Sequence, residues 1–184
     1  SDDLTGMTFS PPARIFAIAN QVISKEDLNL EETLHLYCRM GIAINDAAVA
    51  CWKSKYIYNV ERPATYINKY IDPDFKPILG EAIGKPGITP AFPGYPSGHS
   101  TFAGVGLRIL EHFFGETYEI TDNCHFGRTE FRGYPRTYTS WKQMMEENAY
   151  SRIPLGVHVR MDCSEGLRLG NAVAVRALSL DLQK

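Results

Sequence analysis

The chain has 184 residues, of which 44% are hydrophobic and 22% are charged, and its formal net charge is −2. This length and composition predict a globular chain with one sizeable core, and they exclude disordered and collagen-like classes. The near balance of charges excludes a general basic surface for nucleic acid, and no stretch approaches the roughly 18 apolar residues of a membrane-spanning helix. Any site for an anion must therefore be built locally.

Two helices are predicted in the first third of the chain. The motif Ser10-Pro11-Pro12 is typical of a helix start, and apolar residues at helical spacing extend this helix to about Ser24. From 29 to about 58, apolar residues recur every three or four positions, which predicts a long central helix with Asp46 as a buried structural partner. The recurring residues are Leu34, Tyr37, Met40, Ile44, Ala48 and Trp52.

Helical patterns also dominate the rest of the chain. Closely spaced prolines and glycines predict an ordered loop over residues 72–96. Helices are then predicted after Pro96 up to Gly115, from Ser140 through 152, and from about 158 to 182. No alternating strand pattern stands out, so we predict an all-α bundle of five or six helices with long loops.

The cysteine pattern contains no C-x-x-C pair. The four cysteines, Cys38, Cys51, Cys124 and Cys163, are widely spaced. We expect them to be small buried apolar side chains, although four cysteines also permit three disulfide connectivities that the sequence does not distinguish.

Three segments carry residues that could take part in binding or catalysis, and the first is Lys55 to Pro63. Lys55 and Arg62 are seven positions apart and would share one helical face if the helix continued to Pro63. Two cations on one face could bind an anion. Cations near a helix C-terminus are also favoured by the helix dipole alone, so this segment by itself leaves both interpretations open.

The second segment is Pro96-Ser97-Gly98-His99, at a predicted helix start. Ser97 is a natural N-cap, Gly98 allows a ligand to approach the backbone, and the N–H groups of a first helical turn favour anions. His99 would then lie beside that anion. A plain serine cap with a histidine facing solvent is the alternative.

The third segment contains Arg152, His158 and Asp162. The spacing of four between His158 and Asp162 lets the carboxylate hold one ring nitrogen as N–H, which leaves the other nitrogen with a lone pair. A site for a metal cation would need a third ligand, which Cys163 next to Asp162 does not convincingly supply.

The order K-x6-R-P, P-S-G-H and S-R-x5-H-x3-D resembles the signature of the superfamily of vanadium-dependent haloperoxidases, class A acid phosphatases and type-2 phosphatidic acid phosphatases. This resemblance implies a helical bundle that binds vanadate or phosphate, without haem. It implies that His158 bonds the central atom and that His99 is the acid or base. The implied oxyanion ligands are Lys55, Arg62, Ser97, Gly98 and Arg152.

The surroundings of these motifs resemble haloperoxidases more than acid phosphatases. Trp52 precedes Lys55 by three residues, and Phe92 matches the phenylalanine of the chloroperoxidase type, so both are assigned to a halide or substrate pocket. Relatives of this kind are longer, so residues 1–184 are expected to be one all-α catalytic domain from the C-terminal part of a longer chain. A preceding segment or second chain could then associate with it, and the resemblance implies an exported protein.

Three functions remain open at this stage. The leading hypothesis is a vanadate-dependent haloperoxidase that uses hydrogen peroxide and halide, with Lys55 polarising the peroxide. The second is a metal-independent phosphomonoesterase that cleaves a phosphate ester through a phosphohistidine at His158. The third is an oxyanion-binding domain without catalysis.

Overall fold

A computed structural model of the chain describes residues 9–81, 85, 87–129 and 133–182. Within these residues it contains six helices and one pair of short strands, which confirms the predicted all-α bundle. The elements in chain order are α1 (Pro11–Lys25), α2 (Leu30–Tyr58), α3 (Pro63–Tyr70), α4 (Gly98–Phe114), β1 (Ile120–Asp122), β2 (Arg136–Tyr138), α5 (Trp141–Ser151) and α6 (Arg160–Leu178). None of the helices in the described ranges is long and apolar enough to cross a membrane.

The helix starts follow local capping chemistry. The Ser10 side chain accepts a hydrogen bond from the N–H of Ala13 at the start of α1. Asn29 and Glu32 form a reciprocal capping box at the start of α2. The helix α2 ends where Asn59 adopts the left-handed conformation, with φ of 47°. Side-chain capping therefore fixes the start of the central helix near residue 29, where the sequence predicts it, and a left-handed residue ends it.

Helix α4 lies in the middle of the bundle. It packs against α1, α2, α5 and α6, and most of its residues are buried. The core around it is apolar, with Val105, Ile109 and Leu110 from α4, Met40 from α2 and Trp141 from α5. Because neighbours surround α4, its N-terminus is held at a defined depth inside the molecule.

Two glycines of α6 allow its backbone to lie directly against α4. A Cβ atom on Gly166 would lie 2.5 Å from the carbonyl oxygen of Ser97, and one on Gly170 would lie 2.3 Å from that of Thr101. Real Cβ atoms do not approach that closely, so only glycine fits at these positions. The contact sets the distance between the N-terminal halves of α4 and α6, which both carry site residues.

Some predictions about local structure are wrong. The helix α3 and the antiparallel pair β1–β2, which aligns Ile120 with Tyr138, were not predicted. Asp46 is exposed because it lies on the outer face of α2, so it is not a buried partner. All four cysteines are free, and whereas Cys51 and Cys163 are buried, Cys38 is exposed.

Candidate oxyanion site

A cavity of about 390 Å³ lies where the start of α4 faces α2 and the α5–α6 connection. The twelve residues that line it include two guanidinium groups and two imidazoles, and no Asp or Glu belongs to this described lining. They are Pro11, Pro12, Ala48, Trp52, Arg62, Pro90, Phe92, Gly98, His99, Phe102, Arg152 and His158. A concave site with this charge suits an anion.

His158 is buried and oriented by Asp162. Its Nδ1 lies 3.0 Å from Asp162 Oδ2, which also accepts the N–H of Val159. A carboxylate can only accept, so Nδ1 carries the proton, and the Nε2 lone pair then accepts from Arg62 Nη1 at 3.1 Å. Burial lowers the His158 pKa to about 4. The positive charges of Arg62 and Lys55 lower this pKa further, whereas Asp162 raises it. His158 is therefore a neutral imidazole near neutral pH.

The contact between His158 and Asp162 arises in a different way from the one predicted. The helix α6 begins at Arg160, after His158, and Asp162 is the third residue of that helix. Asp162 reaches back to the capping residue and to His158 at once. The expected partnership is present, but it belongs to a helix start and not to one helical face.

The two arginines reach the cavity from separate elements. Arg62 precedes α3, and its guanidinium donates to the carbonyls of Phe92 at 2.8 Å and Val157 at 2.9 Å. Arg152 follows α5 and is 1% exposed. A planar guanidinium can donate to two oxygens of one anion.

The start of α4 forms another wall. Ser97 is fully buried and caps the helix through the N–H of Ser100, while its own N–H donates to the carbonyl of Asp162 at 2.9 Å. A Cβ on Gly98 would lie 3.2 Å from the Trp52 ring, so glycine allows this ring to pack against the helix start. His99 lines the cavity and also a second cavity of about 260 Å³, which it shares with Arg152.

Lys55 does not line the cavity. Its side chain is fully buried, and Nζ donates to the carbonyls of Pro93 at 2.8 Å, Gly94 at 3.0 Å and Pro96 at 2.6 Å. Burial lowers the Lys55 pKa to about 8. The condition under which Lys55 and Arg62 would share one helical face is not met, because α2 ends at Tyr58 and does not continue to Pro63.

Aromatic rings form the apolar side of the cavity. The Trp52 ring lies 5.2 Å from the Phe92 ring and 6.1 Å from the Phe102 ring. Trp52 and Phe92, which the sequence pattern assigned to a halide or substrate pocket, therefore lie next to each other at this cavity. Phe102 and Ala48 were missed, although Phe102 follows His99 by three positions and Ala48 precedes Trp52 by four, spacings that share a helical face.

A site for a metal cation finds no support in the described part of the chain. No group of three His, Cys, Asp or Glu side chains that could hold a metal ion occurs there. The donor set of the cavity instead combines one imidazole lone pair with cationic and helix N-terminal N–H groups. Such donors fit vanadate or phosphate, in which negative oxygens surround a central atom.

Residues 35–183 match the family model described as the second helical-bundle domain of VCPO. Across an alignment 185 positions long, the chain is 24% identical to the vanadium chloroperoxidase of Curvularia inaequalis. The alignment covers 77% of this chain and 30% of that protein. It is 32% identical over 103 residues to a vanadium-dependent bromoperoxidase of Ascophyllum nodosum, covering 51% of this chain and 18% of that protein.

Solved structures show the same relationship. A bacterial vanadium-dependent iodoperoxidase superposes with a TM-score of 0.83 at 30% identity, covering 95% of this chain and 40% of that one. A bacterial vanadium-dependent chloroperoxidase shares the fold, with a TM-score of 0.65 at 18% identity over 91% of this chain and 40% of that one. The chain thus spans well under half of these relatives. It belongs to the vanadium haloperoxidase superfamily.

Proposed function

We propose that this chain binds vanadate at His158 and catalyses the oxidation of a halide by hydrogen peroxide. The observation that carries the proposal is the placement of His158, whose Nδ1 is held by Asp162 and whose ring lines a cavity together with Arg62 and Arg152. The Nε2 lone pair, which accepts from Arg62 in this structure, would bond the central atom once that arginine donates to an oxyanion oxygen instead. Asp162 keeps the proton on the far nitrogen.

The proposed ligands lie at this cavity or directly beside it, since Ser97 does not line the cavity but precedes the lining residue Gly98. Arg62 and Arg152 would hold oxyanion oxygens and offset their negative charge, and the Ser97 hydroxyl with the first N–H groups of α4 would complete the cradle. Bound vanadate supplies a Lewis-acidic centre at which hydrogen peroxide becomes reactive toward a halide. His99 would accept a proton from the incoming peroxide and later give it to an oxygen that leaves as water or hypohalous acid.

The aromatic wall suits the remaining reactants. Trp52, Phe92 and Phe102 exclude water from one side of the cavity, where a weakly hydrated halide or an organic acceptor could lie. The relatives are named chloro-, bromo- and iodoperoxidases, so they favour the haloperoxidase over the phosphomonoesterase without selecting the halide.

The test is an assay of vanadate-loaded protein with hydrogen peroxide and each of iodide, bromide and chloride, with halogenation of a phenol as readout. We expect turnover with at least one halide, and loss of at least a hundredfold in His158→Gln. His112→Ala, which changes an exposed histidine on the last turn of α4, is the matched control and should retain activity.

The same preparation decides between the functions that the sequence left open. Vanadate-free protein is assayed in parallel with an aryl phosphate. Phosphate release that depends on His158, without halogenation by the loaded enzyme, would replace the proposal with the phosphomonoesterase. Oxyanion binding without either turnover would support a domain that only binds.

A further inference from the structure

The second cavity, of about 260 Å³, meets the candidate oxyanion site at His99 and Arg152, which line both cavities. Its other described walls come mainly from α1, the strand pair β1–β2 and α5, whereas the first cavity lies against α2 and the loop before α4. His99 therefore borders two cavities whose remaining walls are built from different parts of the chain.

The two cavities differ in charge. The described lining of the oxyanion site contains arginines and no carboxylate. The second cavity is lined by two arginines and two carboxylates, which are Arg14, Arg152, Asp122 and Glu147. Arg14 forms an ion pair with Asp122, whose other oxygen accepts the N–H of Cys124 at 3.1 Å. Because carboxylates offset the cations there, the second cavity suits a neutral polar molecule better than an anion.

Two buried polar atoms belong to residues that line the second cavity. They are Arg14 Nη1, which is a donor, and Asn148 Oδ1, which is an acceptor. Neither atom has a hydrogen-bond partner among the residues that the structure describes. Buried polar groups are nearly always paired, with protein or with a small molecule. A molecule that pairs with both atoms must accept one hydrogen bond and donate another, which a halide ion cannot do.

Hydrogen peroxide meets these requirements. It is neutral, and each of its oxygens carries one O–H donor and lone pairs that accept. Water shares this chemistry and takes up about 30 Å³ per molecule in the liquid, so a cavity of about 260 Å³ admits several small molecules of this kind. The proposed function consumes peroxide and passes its proton to His99, which borders the cavity.

We propose that the second cavity admits hydrogen peroxide and holds it beside His99 through hydrogen bonds to Arg14 and Asn148, separately from the aromatic cavity assigned to the halide or organic acceptor. The use of this peroxide rests on the proposed function. The entry of peroxide into the cavity concerns the protein without vanadate, so it can be tested separately.

Met144 lines the second cavity and can report the entry of peroxide. Hydrogen peroxide transfers one oxygen atom to the methionine sulfur, which gives a sulfoxide and one molecule of water. Met144 is 4% exposed, and Met40 is a buried core residue that lines neither cavity. In vanadate-free protein treated with peroxide, mass spectrometry should show that Met144 is oxidised at least about tenfold faster than Met40. Equal rates for these two methionines would overturn the proposal.

The variant Asn148→Leu tests whether peroxide reaches Met144 through this cavity. It replaces the amide by an apolar group of similar shape, and Met144 oxidation should slow at least about fivefold. Tyr150→Leu, at an exposed position of α5 outside the lining, is the matched control and should keep the wild-type rate. Met161 is 57% exposed and serves as the internal standard in all three proteins.

An unchanged rate of Met144 oxidation in Asn148→Leu would mean that peroxide arrives by another path, and it would refute the proposal. If Asn148→Leu does not fold, the comparison of Met144 with Met40 in the unaltered protein decides the matter.

Steady-state kinetics of the vanadate-loaded protein test the use of this cavity in turnover. Asn148→Leu should raise the KM for hydrogen peroxide at least about fivefold and leave the KM for the halide unchanged. Asn148→Gln keeps an amide and should restore part of the loss. An unchanged KM for peroxide, or an equal rise in both KM values, would contradict a separate place for peroxide.

Failure of the proposed function gives a different pattern. If the protein neither binds vanadate nor halogenates, fast oxidation of Met144 that Asn148→Leu suppresses still establishes entry of peroxide into the second cavity. If the loaded protein halogenates while Met144 reacts as slowly as Met40, the proposed function is right and the role of the second cavity is wrong.

Discussion

Burial couples the protonation of His158 to folding. Its pKa falls from 6.5 to about 4, mainly because the ring is buried, and the cations Arg62 and Lys55 oppose protonation further. Asp162 acts in the opposite direction through its hydrogen bond, but it does not compensate. The native protein therefore keeps this ring neutral at pH values where an unfolded chain would protonate it.

A pH dependence of stability follows from this shift. Between pH 6.5 and about 4 the unfolded state binds a proton at His158 and the native state does not, so the free energy of unfolding decreases as the pH falls through this window. The full contribution is on the order of 3 kcal/mol. The measurement is urea denaturation at pH 7, 5.5 and 4.5 on wild type and His158→Gln.

The variant should lose less stability than wild type between pH 7 and 4.5, because it lacks the group that the unfolded state protonates. Carboxylates contribute to both proteins and cancel in the difference. His112→Ala should behave like wild type. If the free energy of unfolding changed equally with pH in wild type and His158→Gln, His158 would be protonated in the native state over the same pH range as in the unfolded state.

At the scale of elements, the α4–α6 contact decides how closely two site-bearing helix starts approach. Gly166 and Gly170 place α6 against the carbonyls of Ser97 and Thr101. The hydrogen bond from the Ser97 N–H to the Asp162 carbonyl requires the same separation. The packing of small residues in the bundle thus determines where His158 and the start of α4 meet.

Gly170→Ala should destabilise the protein by about 1–3 kcal/mol, because the new methyl group forces the helices apart. Gly41→Ala in α2 is the matched control, since a Cβ there has nothing within 4 Å. In a helix interior this control should be stabilising by about 0.5–1 kcal/mol. Thermal unfolding shows whether each variant is more or less stable than wild type. Equal effects of the two substitutions would contradict the close contact of α4 with α6.

At the scale of the whole molecule, short-range features could be predicted from the sequence and long-range ones could not. The pairing of His158 with Asp162 spans four residues, so their spacing indicates it even though α6 begins later than predicted. The contacts of Lys55 join residues 38 to 41 positions apart, through a loop without periodicity. The sequence pattern therefore did not predict the contacts of Lys55, and only the structure shows them.

Weak or interrupted patterns explain the other errors. The strands β1 and β2 have three residues each, which is too short to show alternation. Leu34 and Ile44 both belong to the apolar pattern of the central helix, but Leu34 is 52% exposed whereas Ile44 is 6% exposed and belongs to the core. Helical periodicity places residues on a face, but it does not say which neighbour covers that face.

The proposed site joins distant parts of the chain, so ligand binding should stabilise the whole molecule. Arg62, the start of α4, and residues 152–158 come from different elements that separate on unfolding. Phosphate at a hundred times its dissociation constant should then add about 2.7 kcal/mol. For a chain of this size, each kcal/mol shifts the midpoint of thermal unfolding by about 2–4 °C, so a rise of about 5–11 °C is expected.

The variant Arg152→Gln tests whether this stabilisation comes from the proposed cavity. Loss of a charge-assisted hydrogen bond of about 1.5–3 kcal/mol weakens phosphate binding at least about tenfold. At the same phosphate concentration, stabilisation should then fall to about 1.4 kcal/mol or less. Arg160→Gln, which changes an exposed arginine at the start of α6, should keep the wild-type rise. An equal rise in both variants would mean that phosphate stabilises the protein from a place other than this cavity.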